Sequence, residues 1–324
     1  MHALYRLIRL IRSLVAAAAL AAFAPFAAAQ GFSFVALGDL PYGAPEKSYP
    51  PYRALIGAIN AAQPDFSIHV GDFKSGSTVC SDEEFGQQLN HLGMFAGALV
   101  YTPGDNEWTD CHRKNNGAFD PLERLHRLRG MFFSEGRSLG RNPVALENQS
   151  RAMPKWSKYI ENARFTHRDV LFVTLHIVGS NNNFEVRDAR AVAEFMERDA
   201  ANVDWIREAF ELAERRNVKA LVFAYQADVS DGRSAFDDFP PWSGFRASIG
   251  ETLLPLAEKW GRPVLLISGD SHRLKIDQPY KLNRKELLNV TRLIVPGETD
   301  VRAVRVSVNA DARQPFSFQL LQAP

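Results

Sequence analysis

The sequence predicts an α/β fold, and three observations predict it. Short apolar runs of strand length alternate with stretches of helical periodicity along the 324 residues. Four of those runs end in Gly-Asp: residues 32–37 before Gly38-Asp39, 66–70 before Gly71-Asp72, 98–102 before Gly104-Asp105, and 264–268 before Gly269-Asp270. Asp39, Asp72 and Asp105 are 33 residues apart each time, which suits one strand plus one crossover helix. In an open α/β sheet, ligands sit beyond the carboxyl ends of the strands. Four aspartates delivered to that edge make a candidate metal site.

The elements follow in order. Residues 32–37 read as the first strand. Tyr52, Leu55, Ile56 and Ile59 recur at helical spacing, and Pro51 suits a first turn, so 51–62 reads as a helix. Residues 66–70 form the second strand, 82–95 a helix and 99–102 the third strand. Residues 108–151 read as an insertion with a short helix at 121–128. Residues 164–178 read as two strands turning at His167-Arg168-Asp169, and Asn181-Asn182-Asn183 as a turn. The apolar stripe Val192, Phe195, Val203, Ile206 and Phe210 predicts a long helix over 188–217, facing the core. A strand at 219–225, a polar loop at 226–245 and a helix at 246–260 precede the last Gly-Asp strand. The alternating segments 291–295, 301–308 and 316–321 suggest a terminal run of antiparallel strands. No stretch reads as a linker, so residues 30–324 are taken as one domain.

Composition narrows the function class. The chain is 46% apolar and 23% charged, with 38 Lys and Arg against 37 Asp and Glu. Arg6, Arg9 and Arg12, the apolar run 14–26 and Ala27-Ala28-Ala29 resemble a cleaved secretory signal over residues 1–29, the alternative being an uncleaved anchor. Without those arginines the balance is 35 against 37, about −2. No basic, aromatic-laced stripe points to nucleic acid. The expected location is the periplasm or the extracellular space, with no membrane attachment after cleavage. Two cysteines, Cys80 and Cys111, lie in loops after Gly-Asp strand ends. In an exported chain an even count suggests a disulfide between them; two free thiols are the alternative.

Converging carboxylates repel one another unless a cation fills the space between them. Two divalent ions about 3.5–4 Å apart clamp a phosphate and lower the pKa of a bound water. At this point the motifs resemble those of the calcineurin-like metallophosphoesterases. That family's order is Asp-x-His, Gly-Asp, Gly-Asn-His-Asp/Glu, a lone His, then Gly-His-x-His. Here Asp39 stands at the first Asp, with Pro41 in place of the following His. Gly71-Asp72 matches the second motif, Gly104-Asp105-Asn106-Glu107 stands at the third, Tyr225-Gln226 at the lone His, and Gly269-Asp270-Ser271-His272 at the last.

The resemblance implies two packed mixed β-sheets flanked by helices, a four-layer sandwich. It implies one metal at Asp39, Asp72 and His272, and a second at Asp72, Asp105, Asp270 and Gln226. Oxygen-rich ligands favour Mn, Mg or Ca over Fe or Zn. The family's proton-donating His is replaced by Asn106, which donates a hydrogen bond but does not titrate. The acid role then passes to His112, the nearest loop candidate, or to His176. Lys74 and Arg113 read as solvated loop charges within reach of a phosphate. His69, by strand alternation, reads as a core residue.

The expected activity is hydrolysis of a small phosphate mono- or diester, with a metal-bound hydroxide as nucleophile. The insertion at 108–151 and the loop at 226–245 are expected to shape the mouth of the site. The rival readings are a non-catalytic metal- or ligand-binding protein on the same fold, and an envelope protein whose aspartates hold a stabilising Ca.

Overall fold

The computed structural model describes residues 31–324 apart from residue 135. The segment read as a signal, 1–29, lies outside the described residues. Three parallel strands, β1 (Phe32–Leu37), β2 (Phe66–His69) and β3 (Ala98–Tyr101), are linked by helices α1 (Pro45–Ala61) and α2 (Asp82–Leu92). The insertion contributes helix α3 (Pro121–Phe132) and the short strands β4 (Leu139–Gly140) and β5 (Glu147–Asn148). A hairpin follows, β6 (Ala163–His167) and β7 (Val170–Thr174), then helix α4 (Ala189–Arg215) and β8 (Ala220–Ala224). A π-helical stretch, Arg246–Leu253, runs into helix α5 (Leu254–Trp260) and then β9 (Val264–Ser268). The chain closes with β10 (Lys275–Asp277), the pair β11 (Lys281–Leu282) and β12 (Lys285–Glu286), β13 (Val290–Ile294), β14 (Arg302–Val308) and β15 (Phe316–Gln322).

Two mixed sheets result. One has the order β15-β14-β1-β2-β3-β4, the other β10-β13-β9-β8-β7-β6-β5. Phe34, Ala36, Phe66 and Ile68 of the first sheet pack between the sheets against Phe172, Val222 and Leu265 of the second. Phe34 stacks on Phe66 with centroids 5.3 Å apart, and Phe172 meets Phe34 edge-on. Val35 and Leu37 point the other way, into a cluster with Tyr52, Leu55 and Phe85 of α1 and α2. The second sheet is backed by α4, the π-helical stretch and α5 through Trp205, Phe210, Leu253 and Trp260. Strands buried on both faces read as continuous apolar runs rather than alternating ones. Each fully buried aromatic side chain contributes about 1.5–3 kcal/mol.

Several sequence expectations need correction. The first helix begins six residues earlier than the proline signal suggested, because Pro45 takes its first turn and Pro50 and Pro51 lie inside it. The terminal strands are not one antiparallel run. β13 pairs parallel with β9 in the second sheet, whereas β14 is antiparallel to β1 and β15 in the first. Strand periodicity reports which faces are buried, not which strand is the partner. The turn at Asn181–Asn183 is a left-handed one, with φ between 49° and 59° over four successive residues starting at Ser180. Helix α4 is capped by Asp188, whose side chain accepts from the amides of Arg190 and Ala191. No helix among the described residues is long and apolar enough to cross a membrane.

Candidate metal centre

The in-register parallel pairing of β1, β2 and β3 brings Asp39, Asp72 and Asp105 to one edge, and β8 and β9 bring Gln226 and Asp270 to the facing edge. Asp39, Asp72, Asp270 and His272 all have positive φ, between 53° and 71°. Left-handed backbone at non-glycine residues is costly and clusters where function holds it. The preceding glycines are needed for close approach. A Cβ on Gly104 would lie 2.0 Å from Asp72 Oδ1, and one on Gly71, whose φ is +97°, would lie 2.4 Å from the Gly104 nitrogen.

Asp39, Asp72 and His272 each offer a ligand atom within 4.8 Å of the other two. Asp39 is fully buried and its Oδ2 has no hydrogen-bond partner. Its Oδ1 accepts from the Asp270 amide at 3.0 Å and faces His272 Nε2 at 3.6 Å. Burial, opposed by that amide and reinforced by the charges of Asp270 and Asp105, pushes the Asp39 pKa well up. Asp72 is pushed up by burial and then by Asp105 and Glu107. Asp105 rises to about 6, first through burial and then through Asp110. Asp270 rises through burial and Asp105. Buried carboxylates that repel one another, with Asp39 Oδ2 and Asp105 Oδ1 unpaired, are what a divalent cation satisfies.

The first implied ligand set therefore fits a cation. The second fits less well. Gln226 Oε1 accepts from the Gly179 amide at 2.5 Å, and its Nε2 donates to Asp72 Oδ2 at 3.2 Å. It buttresses Asp72 rather than presenting an oxygen. Asp270 Oδ2 accepts from the Asp228 amide at 3.0 Å. The Ser180 hydroxyl lies 2.8 Å from Asp105 Oδ2 and 2.9 Å from Asp110 Oδ1.

Asn106 is at the centre but not poised toward a leaving group. Its Nδ2 donates to Asp72 Oδ2 at 2.8 Å and to the Tyr42 hydroxyl at 2.7 Å. His112 is exposed, and its Nδ1 donates to the Thr109 carbonyl at 2.7 Å on the rim of a cleft of about 720 Å³. Arg113, Arg187 and Arg190 also line that cleft, paired with Asp110, Glu185 and Asp120. The cleft is lined by residues of the insertion, from Thr109 to Leu122, and by residues of 180–191, and reaches the centre through Ser180. Lys74 is wholly buried, not solvated: it donates to the Ser75 carbonyl, and burial lowers its pKa against the pull of Glu107 and Asp72.

Tyr42, Glu107 and Ser180 were not read as site residues. Tyr42 donates to Asp72 Oδ2 at 2.7 Å and packs edge-on against His272. Glu107 is buried and accepts from the Phe73 amide and the Tyr101 hydroxyl, both at 3.1 Å. Glu107 lies inside the third motif, and its neighbour Asp105 was the only signal for it. Tyr42 and Ser180 come from irregular loops that carry no periodic signal.

His176 is not at this centre. It is buried, with Nδ1 2.8 Å from Glu161, whose carboxylate is paired with Arg129. Burial and then the nearby Arg198 push its pKa down to about 4. An unfolded imidazole titrates near pH 6.5. Between that pH and 4 the unfolded chain binds the extra proton, so stability is lost as pH falls. The loss is on the order of 3 kcal/mol. His176→Asn is expected to flatten this part of the Tm–pH profile. An unchanged slope would assign it to other buried imidazoles such as His69, itself pushed down to about 4 by burial.

The fold resembles solved structures at low identity. A dimetal phosphatase from Danio rerio superposes with a TM-score of 0.54 at 11% identity, over 90% of this chain and 99% of that one. The purple acid phosphatase isolated from yellow lupin (Lupinus luteus) seeds gives 0.51 at 14% identity, over 90% of this chain and 54% of that one. No protein-family model matches the sequence, and no curated protein matches it. Two mixed sheets between helical layers, with acidic strand ends facing each other, give this chain the metallophosphoesterase fold.

Proposed function

We propose that this chain is an exported, metal-dependent phosphoesterase acting on a small phosphate mono- or diester. The observation that carries this reading is the convergence of Asp39, Asp72 and His272, with a buried Asp39 oxygen left unpaired. A divalent cation bound there supplies Lewis acidity toward a phosphoryl oxygen and lowers the pKa of water. The chain's own residues do the rest. Asp39, Asp72 and His272 hold the cation. Tyr42, Asn106 and Gln226 orient Asp72 through three hydrogen bonds. The arginines of the adjoining cleft offer planar donors suited to phosphate oxygens.

The test is hydrolysis of p-nitrophenyl phosphate and bis-p-nitrophenyl phosphate by protein equilibrated with Mn, Mg or Ca. Activity that a chelator removes and Mn restores is the expected result. A second reading, a non-catalytic metal-binding protein, is favoured by one observation: the Asn106 side chain, at the acid's position, is held by Asp72 and Tyr42 and has no proton to give. No turnover on either ester, with Mn still raising Tm, would establish that reading instead.

A further inference from the structure

Asp72 has room for one cation. Its Oδ2 accepts from the Tyr42 hydroxyl at 2.7 Å, Asn106 Nδ2 at 2.8 Å and Gln226 Nε2 at 3.2 Å. A carboxylate oxygen offers about two lone-pair sites, so three donors leave it none for a metal. Among the described residues Oδ1 accepts the Asn106 amide alone, at 3.1 Å, which leaves one of its two lone-pair sites. A carboxylate that joins two metals needs two.

The rest of the second set is committed too. The Gln226 oxygen belongs to Gly179, Asp105 Oδ2 to Ser180 and Asp270 Oδ2 to Asp228. The remaining oxygens, Asp105 Oδ1 and Asp270 Oδ1, lie against Gly179, where a Cβ would be 2.9 and 2.8 Å from them; Asp105 Oδ1 has no hydrogen-bond partner among the described residues, but Gln226 and Ser180 supply no further open oxygen beside it. The turn that follows Gly179 is held in place. Buried Arg198 donates to Asn182 Oδ1 at 2.5 Å and to the Asn182 carbonyl at 2.9 Å, and Asn182 Nδ2 donates to the Gly244 carbonyl at 2.8 Å. A strained left-handed turn kept by so many bonds is a fixed part of the site.

We infer that the chain holds a single divalent cation, at Asp39, Asp72 and His272, and that Gln226 with the Gly179–Ser180 turn fills the position of a second. The inference rests on the metal-dependent reading above for the presence of a cation, and narrows it to a one-ion centre.

The experiment is Mn content after equilibration and desalting, with electron paramagnetic resonance of the bound ion and a thermal melt of every variant to confirm folding. Wild type is expected to hold one Mn per chain, with the spectrum of an isolated ion. His272→Ala and Asp39→Asn are expected to hold none, and Asp270→Asn to keep one. Two ions with an exchange-coupled spectrum overturn this inference and leave the phosphoesterase reading standing. No Mn in wild type overturns this inference, and absence of hydrolysis with Mn, Mg and Ca alike overturns the phosphoesterase reading. One ion retained in His272→Ala but lost in Asp270→Asn would put the cation in the other set and also overturn it.

Discussion

Replacing Asp72 by alanine is expected to remove metal-dependent hydrolysis altogether. Asp72 joins the cation position to the hydrogen bonds around it. It shares the cation position with Asp39 and His272 and accepts from Tyr42, Asn106 and Gln226. Loss of a group that merely orients a metal ligand costs about 10–100-fold, so loss of the ligand itself is expected to cost more than about 100-fold. The alanine also removes the acceptor of four donors, the Tyr42 hydroxyl, Asn106 Nδ2, Gln226 Nε2 and the Asn106 amide, at about 1–3 kcal/mol for each buried one left unpaired. A lower Tm would therefore confound the comparison. Asp72→Asn separates the two effects, because it keeps the shape and part of the acceptor capacity while weakening the cation site. The expected pattern is Asn near wild-type in Tm and near alanine in rate, measured on both nitrophenyl esters with Mn. Full activity in either variant would show that the hydrolysis does not run through this centre.

The acidic strand ends were legible because their signal is local. A strand buried on both faces is a continuous apolar run, and a tight exit from it calls for Gly-Asp whatever lies elsewhere. Equal spacing then placed Asp39, Asp72 and Asp105 on neighbouring parallel strands, as the pairing of β1, β2 and β3 shows. What surrounds those aspartates was not legible, since it is set by long-range approach. Ser180 reaches Asp105 across 75 positions and Gln226 reaches Asp72 across 154. Nearness along the chain also misled. His112 lies seven residues after Asp105 yet is exposed on the cleft rim, and His176 lies two residues past the end of β7 yet bonds to Glu161 in a separate buried network. The burial of Lys74 follows from the carboxylates that folding gathers around it, which no loop composition reveals.

Removing the Cys80–Cys111 disulfide is expected to lower Tm by about 6–16 °C. The bond joins residues 31 apart and both cysteines are fully buried. A closed loop of that length is worth about 3–4 kcal/mol through the unfolded chain's entropy, and each kcal/mol shifts Tm by about 2–4 °C in a domain of this size. The staple also bears on the site. Both sulfurs lie against the Asn106 carbonyl, at 3.6 and 3.7 Å, and Asn106 holds the cation ligand Asp72 through its amide and its side chain. Cys80 is tied further by its amide to the Asn116 carbonyl and by its own carbonyl to Arg124. The double variant Cys80→Ala/Cys111→Ala is therefore expected to bind Mn more weakly even at a temperature where it is fully folded. Calorimetric melting and Mn titration at 15 °C check the two parts separately. A Tm shift under about 2 °C would mean that the surrounding hydrogen bonds already fix this loop without the staple. Unchanged Mn affinity beside a lowered Tm would confine the disulfide to stability and leave the placement of Asn106 to its bonds with Asp72 and Tyr42.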